Sequence, residues 1–383
     1  MQMKIGFQIL VFLIAAASFQ GCKVFQKTAI TKSATTQQAM LKAMQWQEAN
    51  PIFTKAPTDW TNGAYYVGVV KAHEATNSRD YLDALKSMAI RNSWKPWERF
   101  YHADDMNICY SYLYLNTLGE ANVNLAPTST IIKDHLYKPY AWKNGGNESL
   151  KGNKETEIKE KILWWWCDAL FMAPPVIINY SKQMNDPFYL KEMDKYYAEA
   201  YELLYDKKAH LFSRDARFLL TGNANDIKEK NGEKVFWSRG NGWVLAGLAL
   251  MLTDLPKEYP TRKFYENLFI ELAEQIKILQ PADGLWRTSL LSPESFDHGE
   301  VSGSGFFTFA LAWGINNGVL NKKIYTPVVL KAWKAILACQ QENGKVGWVQ
   351  NIGANPMPAN ANSWQNFGTG AFLMAGGEIL KLK

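Results

Sequence analysis

Cysteine and histidine are scarce in this chain: of 383 residues, four are cysteine and five are histidine. With Cys22 set aside, Cys109, Cys167 and Cys339 form no CxxC pair and are odd in number, so neither a disulfide framework nor a zinc site is indicated. His73, His102, His135, His210 and His298 show no HExxH spacing, which leaves metal-dependent hydrolysis without a ligand set. A long Lys/Arg block is missing too. The net charge of +6 is spread along the sequence, a loose fit to an anionic partner and a poor one to nucleic acid. Charged residues make up only 20% and hydrophobic ones 47%, with 15 Trp, 18 Tyr and 19 Phe; burial of so many aromatics offsets chain ordering and excludes disorder.

The apolar run from Ile5 to Ala17 follows Lys4 and is too short and wrongly flanked for a membrane span. It reads as a secretory signal over residues 1–21. The run ends in Ser18-Phe19-Gln20-Gly21-Cys22, which resembles a bacterial lipobox, with Cys22 as the lipidated first residue of an envelope protein and Phe19 and Gln20 departing from the commonest form. An ordinary signal peptide cut nearby is the alternative. Residues 22–37, rich in Thr, Lys, Ala and Gln, then serve as a polar tether, and 38–383 as a single domain. Oligomeric state is open.

Apolar residues return at three and four positions through Gln38–Ala49, Tyr65–Thr76, Arg79–Ile90, Ile108–Leu118, Pro187–Tyr205 and Arg262–Leu279, the signature of amphipathic helices. Alternating with these are helices that are small and apolar nearly all round, such as Val244–Leu252, Phe306–Ile315 and Ala371–Leu380, which belong inside. A related junction precedes each inner helix: WTNG from Trp60, HADD from His102, WWCDALFMAPP from Trp165, WSRGNG from Trp237, VSGSG from Val301 and SWQNFGTG from Ser363. Their spacing of about 40 to 70 residues suits one helical hairpin each. The expected fold is all-α, an (α/α)6 barrel of six helical hairpins whose inner N-termini share one end. Asn, Asp, Ser and Gly at these junctions are good helix starters in any protein; capping alone does not call for tryptophan. Pro174 and Pro175 suit a first helical turn, which puts Asp168 in the loop before it.

At that rim Trp60, Trp165, Trp166, Trp237, Trp243 and Trp364 offer broad apolar faces on which pyranose rings stack, with some of them expected in the core instead. Arg239, between Trp237 and Trp243, needs an anionic partner or several carbonyls if buried. Asp168 sits among Trp164, Trp165, Trp166, Leu170 and Phe171, surroundings that disfavour its ionised form and let it hold a proton. Asp104 and Asp105 are a second pair of candidates, one of which can cap a helix, and His102 is the histidine at a junction. Asp215, between Arg214 and Arg217, reads as a structural ion pair.

YHADDMNICYSYL, WWWCDALFMAPPVI, HLFSRDARF, VFWSRGNGWVLAGLALML and GLWRTSLLSPESFDHGEVSGSGFFTFALAWGINNGVL, in that order from about Trp60 to the C-terminus, resemble glycoside hydrolase family 105, which is related to family 88. The resemblance implies an (α/α)6 barrel that needs no cofactor and removes a 4,5-unsaturated uronic acid from oligosaccharides left by polysaccharide lyases, rhamnogalacturonan fragments among them. It makes Asp168 the proton donor, gives an assisting role to Asp104 or Asp105, and lines the sugar site with Trp237, Arg239 and Trp243. Arg214 stands where many members carry a histidine; this added cation, facing a carboxylate or a sulfate, points to sulfated rhamnose as in ulvan fragments. The rival reading is a non-catalytic outer-membrane glycan-binding lipoprotein, which needs aromatics but no shielded acid. Another barrel activity, a lyase or epimerase, would call on His or Tyr bases.

Overall fold

The computed structural model describes residues 33–53, 56–99, 102–137 and 162–382. The signal segment, Cys22 and the tether up to residue 32 lie outside the described residues.

Six helices form a closed inner ring: α2 (Trp60–Thr76), α4 (Cys109–Thr117), α6 (Pro174–Met184), α8 (Ser238–Asp254), α10 (Val301–Asn316) and α12 (Asn366–Lys381). Each packs on the next, and α12 returns to α2, so the barrel shuts. Outside run α1 (33–49), α3 (Arg79–Arg91), α5 (Ala126–Tyr137), α7 (Phe188–Leu204), α9 (Arg262–Ile278) and α11 (Lys322–Ala338). This is the (α/α)6 barrel expected from the hairpin pattern. The two layers obey different rules of burial. In α3 only Tyr81, Leu85, Met88 and Ala89 are buried, a single stripe facing inward, whereas every residue of α10 from Val301 to Ile315 is enclosed.

Three expectations change. The junction strings are mostly not loops ahead of the inner helices but their first turns: α8 begins at Ser238 and α10 at Val301, inside WSRGNG and VSGSG. A glycine in a helix costs about 1 kcal/mol against alanine, yet here close contact requires it. A β-carbon at Gly68 would run into the backbone of Gly370, and one at Gly303 would strike Ser238. Helix α1 starts at 33 rather than 38, because Thr36 is buried and accepts a hydrogen bond from Trp333 Nε1 at 3.3 Å, so the polar composition there hides a packed face. Finally, α5, α6 and α11 escaped the periodic reading, α11 carrying Pro327 inside it, and Tyr65–Thr76 and Ile108–Leu118, read as amphipathic, lie in the inner ring, where α2 is buried from Thr61 to His73. As expected, Pro174 and Pro175 open α6, and Asp168 immediately precedes a helical turn, Ala169–Met172, that leads into it.

Candidate active site

The inner N-termini meet at one end. Asn366 on α12 donates to Thr61 Oγ1 (3.0 Å) and Asn62 Oδ1 (2.9 Å) on α2, while the ring of Trp60 stacks on Phe367 (5.3 Å) and meets Trp243 of α8 edge-on (6.2 Å). Asp59 and Glu300 cap α2 and α10 through pairs of backbone N–H groups.

On one side of this end, three separate stretches are stitched together. Asn241, in the first turns of α8, accepts from Phe212 N (2.7 Å) and donates to Phe212 O (3.0 Å), which fixes the short strand Leu211–Phe212 paired with Tyr205–Asp206. The chain then runs beside the tryptophan segment: Cys167 N donates to Arg214 O (2.9 Å), and Trp166 and Asp215 form a bridge. Arg214 is thereby aimed at two carboxylates, with Nη1 2.6 Å from Asp215 and Nε 3.6 Å from Asp168 Oδ1. Asp215, fully buried, is clamped by Arg217 as well (2.7 Å), and these cations hold its carboxyl below the ordinary range, the structural role expected of it.

Asp168 is enclosed, with 9% of its surface exposed. Burial pushes its carboxyl above the ordinary range; Arg214 pulls it back and the negative charge of Asp104 adds to the rise. Asp104 is likewise raised by burial, against the pull of Arg99, and lies 3.4 Å from His102 Nδ1. The two aspartates of HADD part company here. Asp105 has no exposed surface; its Oδ1 accepts from both Arg99 Nε at 2.8 Å and Nη2 at 2.6 Å, and its Oδ2 accepts from the Arg99 backbone N–H. Asp104 has only a longer contact to the same guanidinium, at 3.3 Å, and falls within the field of Asp168 and Arg214.

Within the field of Asp168 lies a cation in the opposite situation. Arg239, 1% exposed, is sandwiched between the rings of Trp237 (4.4 Å) and Phe367 (4.7 Å). Its Nη1 donates to Gln350 O at 2.7 Å and its Nη2 to Asn351 O at 2.9 Å, so carbonyls, not a carboxylate, complete it. Its Nε has no partner among the described residues, and burial lowers the guanidinium to about 10. Glu300 lies within its field but is itself occupied by Ser302, Gly303 and the Gln350 N–H.

The tryptophans divide. Trp237 (1% exposed) donates from Nε1 to Gln350 Oε1 at 2.9 Å and holds Arg239; Trp243 is wholly enclosed against Phe171, Phe306 and Phe367. Neither ring lies open at a rim for a sugar to stack upon. Trp166 is buried with its ring 4.8 Å from that of His102, whereas Trp60 and Trp165 are partly exposed. Trp364 packs edge-on against Trp46. Arg99, Glu300 and Gln350 went unnoticed in the sequence. Glu300 had a signal, an acid directly before Val-Ser-Gly-Ser-Gly in capping position; Arg99 and Gln350 lie in irregular segments where no periodicity marks a role. Among the described residues no His, Cys, Asp and Glu side chains gather as a metal cage, and Cys109, Cys167 and Cys339 are free and buried.

The sequence pattern of Glycosyl Hydrolase Family 88 matches residues 25–383. An unsaturated 3S-rhamnoglycuronyl hydrolase of Formosa agariphila is 55% identical over 98% of both chains. Among solved structures, a glycosyl hydrolase family 88 protein from Bacteroides vulgatus superimposes with a TM-score of 0.77 at 29% identity, covering 91% of this chain and 99% of the other. A chain described as a polysaccharide lyase superimposes with a TM-score of 0.76 at 32% identity, covering 91% and 97%.

Proposed function

The chain belongs to Glycosyl Hydrolase Family 88 and is a glycosidase of the unsaturated glycuronyl hydrolase class, and from that premise we propose that it releases a 4,5-unsaturated uronic acid linked to rhamnose at the non-reducing end of lyase-generated oligosaccharides. Sulfated rhamnose, as in ulvan fragments, is favoured over rhamnogalacturonan by the name of the Formosa agariphila relative and by the cation Arg214 beside the acid. The observation that carries the mechanism is the combination of an enclosed Asp168, whose carboxyl burial raises above its ordinary range, with an enclosed Arg239 that has no carboxylate in contact.

The substrate is an enol ether. Arg239 receives its carboxylate, and Asp168 delivers a proton to carbon 4, leaving positive charge on carbon 5 and the ring oxygen. Water adds at carbon 5 and its proton restores the carboxyl of Asp168, with Asp104 assisting. The hemiketal opens to a ketone at carbon 5, and the hemiacetal left at carbon 1 collapses to an aldehyde and expels the shortened sugar. Because carbon 1 is never attacked, the separation of the two carboxyls carries no message about retention or inversion. Export and attachment through a lipidated Cys22 belong to the same proposal; the intact mass of the mature chain distinguishes it from ordinary cleavage nearby.

The test follows the ultraviolet absorbance of the conjugated double bond with unsaturated uronate-rhamnose oligosaccharides, sulfated and unsulfated. Loss of absorbance, fastest on the sulfated panel, is the expected result. The lyase-described neighbour suggests the second reading, and there the same assay on intact polymer would show absorbance rising. No change with any substrate would return the glycan-binding lipoprotein, which family membership disfavours.

A further inference from the structure

A polar cavity of about 220 Å³ opens between α1, α2 and α3, and apart from Asn62 its lining uses none of the residues named at the candidate active site. Its walls include Glu48, Tyr65, Tyr66 and Arg91, with Pro51 and Phe53 on the connecting segment. The groups are coupled. Tyr65 Oη donates to Glu48 at 3.0 Å, Arg91 Nη2 donates to Tyr66 Oη at 3.2 Å, and burial raises the Glu48 carboxyl above its ordinary range. Arg91 lies on the exposed last turn of α3, and half of the Phe53 surface is open to solvent. The cavity thus joins a carboxyl, a guanidinium and two phenols in its wall to an aromatic ring open to solvent.

That combination matches one pyranose: vicinal hydroxyls fit a carboxyl and a guanidinium, while the apolar ring face lies on an aromatic. We propose that this cavity is a second carbohydrate site, taking a saturated sugar unit of the oligosaccharides that the enzyme acts upon. The class of sugar rests on the function proposed above. Its location agrees with that use, because the cavity also reaches Asn62, one residue beyond Thr61 and hydrogen-bonded to Asn366, at the end of the barrel where the acids lie. Gln47 continues the link by accepting from Thr369 of α12 at 3.0 Å. Neither Asp168 nor Asp104 is among the residues that line this cavity, so the role proposed for it is binding and not catalysis.

The experiment uses the full chain and a saturated uronate-rhamnose oligosaccharide, which lacks the double bond and is not turned over. Calorimetric titration of the wild type gives binding, and Arg91→Ala and Phe53→Ala each weaken it by about tenfold while hydrolysis of an unsaturated disaccharide is unchanged. Both positions are exposed, so the unchanged hydrolysis also reports an intact fold. Absence of saturated-sugar binding by the wild type, or binding untouched by both substitutions, overturns the proposal. A wild type that binds the saturated sugar through Arg91 yet consumes no unsaturated substrate would instead overturn the hydrolase reading and leave this site standing.

Discussion

The two sides of the barrel mouth carry opposite imbalances. Around Asp168 there is more carboxylate than one guanidinium can settle, since Arg214 is shared between Asp168 and the fully clamped Asp215. Around Arg239 there is a buried cation met, among the described residues, by carbonyls, ring faces and the Ser302 hydroxyl, with no carboxylate in contact. A protein at rest would reduce its cost by pairing the two, because buried unpaired charge is expensive. Leaving them within each other's field but not joined in an ion pair is what a site does when its ligand brings an anionic group to the cation and collects a proton from the acid.

The strongest way to break this comparison is to remove the proton. Asp168→Asn keeps shape and hydrogen bonding and should lower kcat by at least about a thousandfold, within the span of general acid catalysis; near-wild-type turnover would remove Asp168 from the mechanism. On the other side, Arg239→Gln should cost about a hundredfold in kcat/KM, most of it as weaker binding. An unsaturated substrate without its carboxylate should lose far less from the substitution. If both substrates suffer equally, Arg239 shapes the mouth and does not hold the anion.

The neighbours in HADD sharpen the acid side. Asp104→Asn should reduce kcat about tenfold or more with the denaturant midpoint nearly unchanged, whereas Asp105→Asn should destabilise by about 1 to 3 kcal/mol, below the range of about 3 to 5 for a fully buried pair because Arg99 is partly exposed. The opposite pattern would exchange their roles. The smallest effect concerns pH. Asp168 works protonated, so activity falls as pH rises through its raised value. Arg214 favours the ionised form; in Arg214→Gln the carboxyl rises further and the alkaline limb of the pH-rate profile moves upward. A limb that stays in place, or moves down, would show that another group sets it.

Much of this was legible along the chain. Asp168 could be singled out because six helix entrances recur, most of them aromatic or acidic, and its own is rich in tryptophan, and the entrances could be placed at one end because hairpins alternate direction. Trp237 and Trp243 show where the reading ran out. Aromatic rings near a predicted rim look like sugar platforms, yet both are enclosed, one as the plate beneath Arg239 and the other as the centre of an aromatic cluster. Burial depends on what the neighbouring helix brings, and that helix is distant in sequence.

The sequence by itself determined that wholly apolar helices alternate with amphipathic ones over the later part of the chain, though not at Tyr65–Thr76 and Ile108–Leu118, and so pointed to a two-layered barrel with one polar end, since periodicity is a local property. Only the tertiary structure decided that Asp105 is locked to Arg99 while Asp104 is left to Asp168, and that Arg239 rests on the carbonyls of residues 350 and 351, more than a hundred positions away. Charge and hydrogen bonding at the mouth are settled by which side chains meet there, and those meetings exist only once the ring has closed.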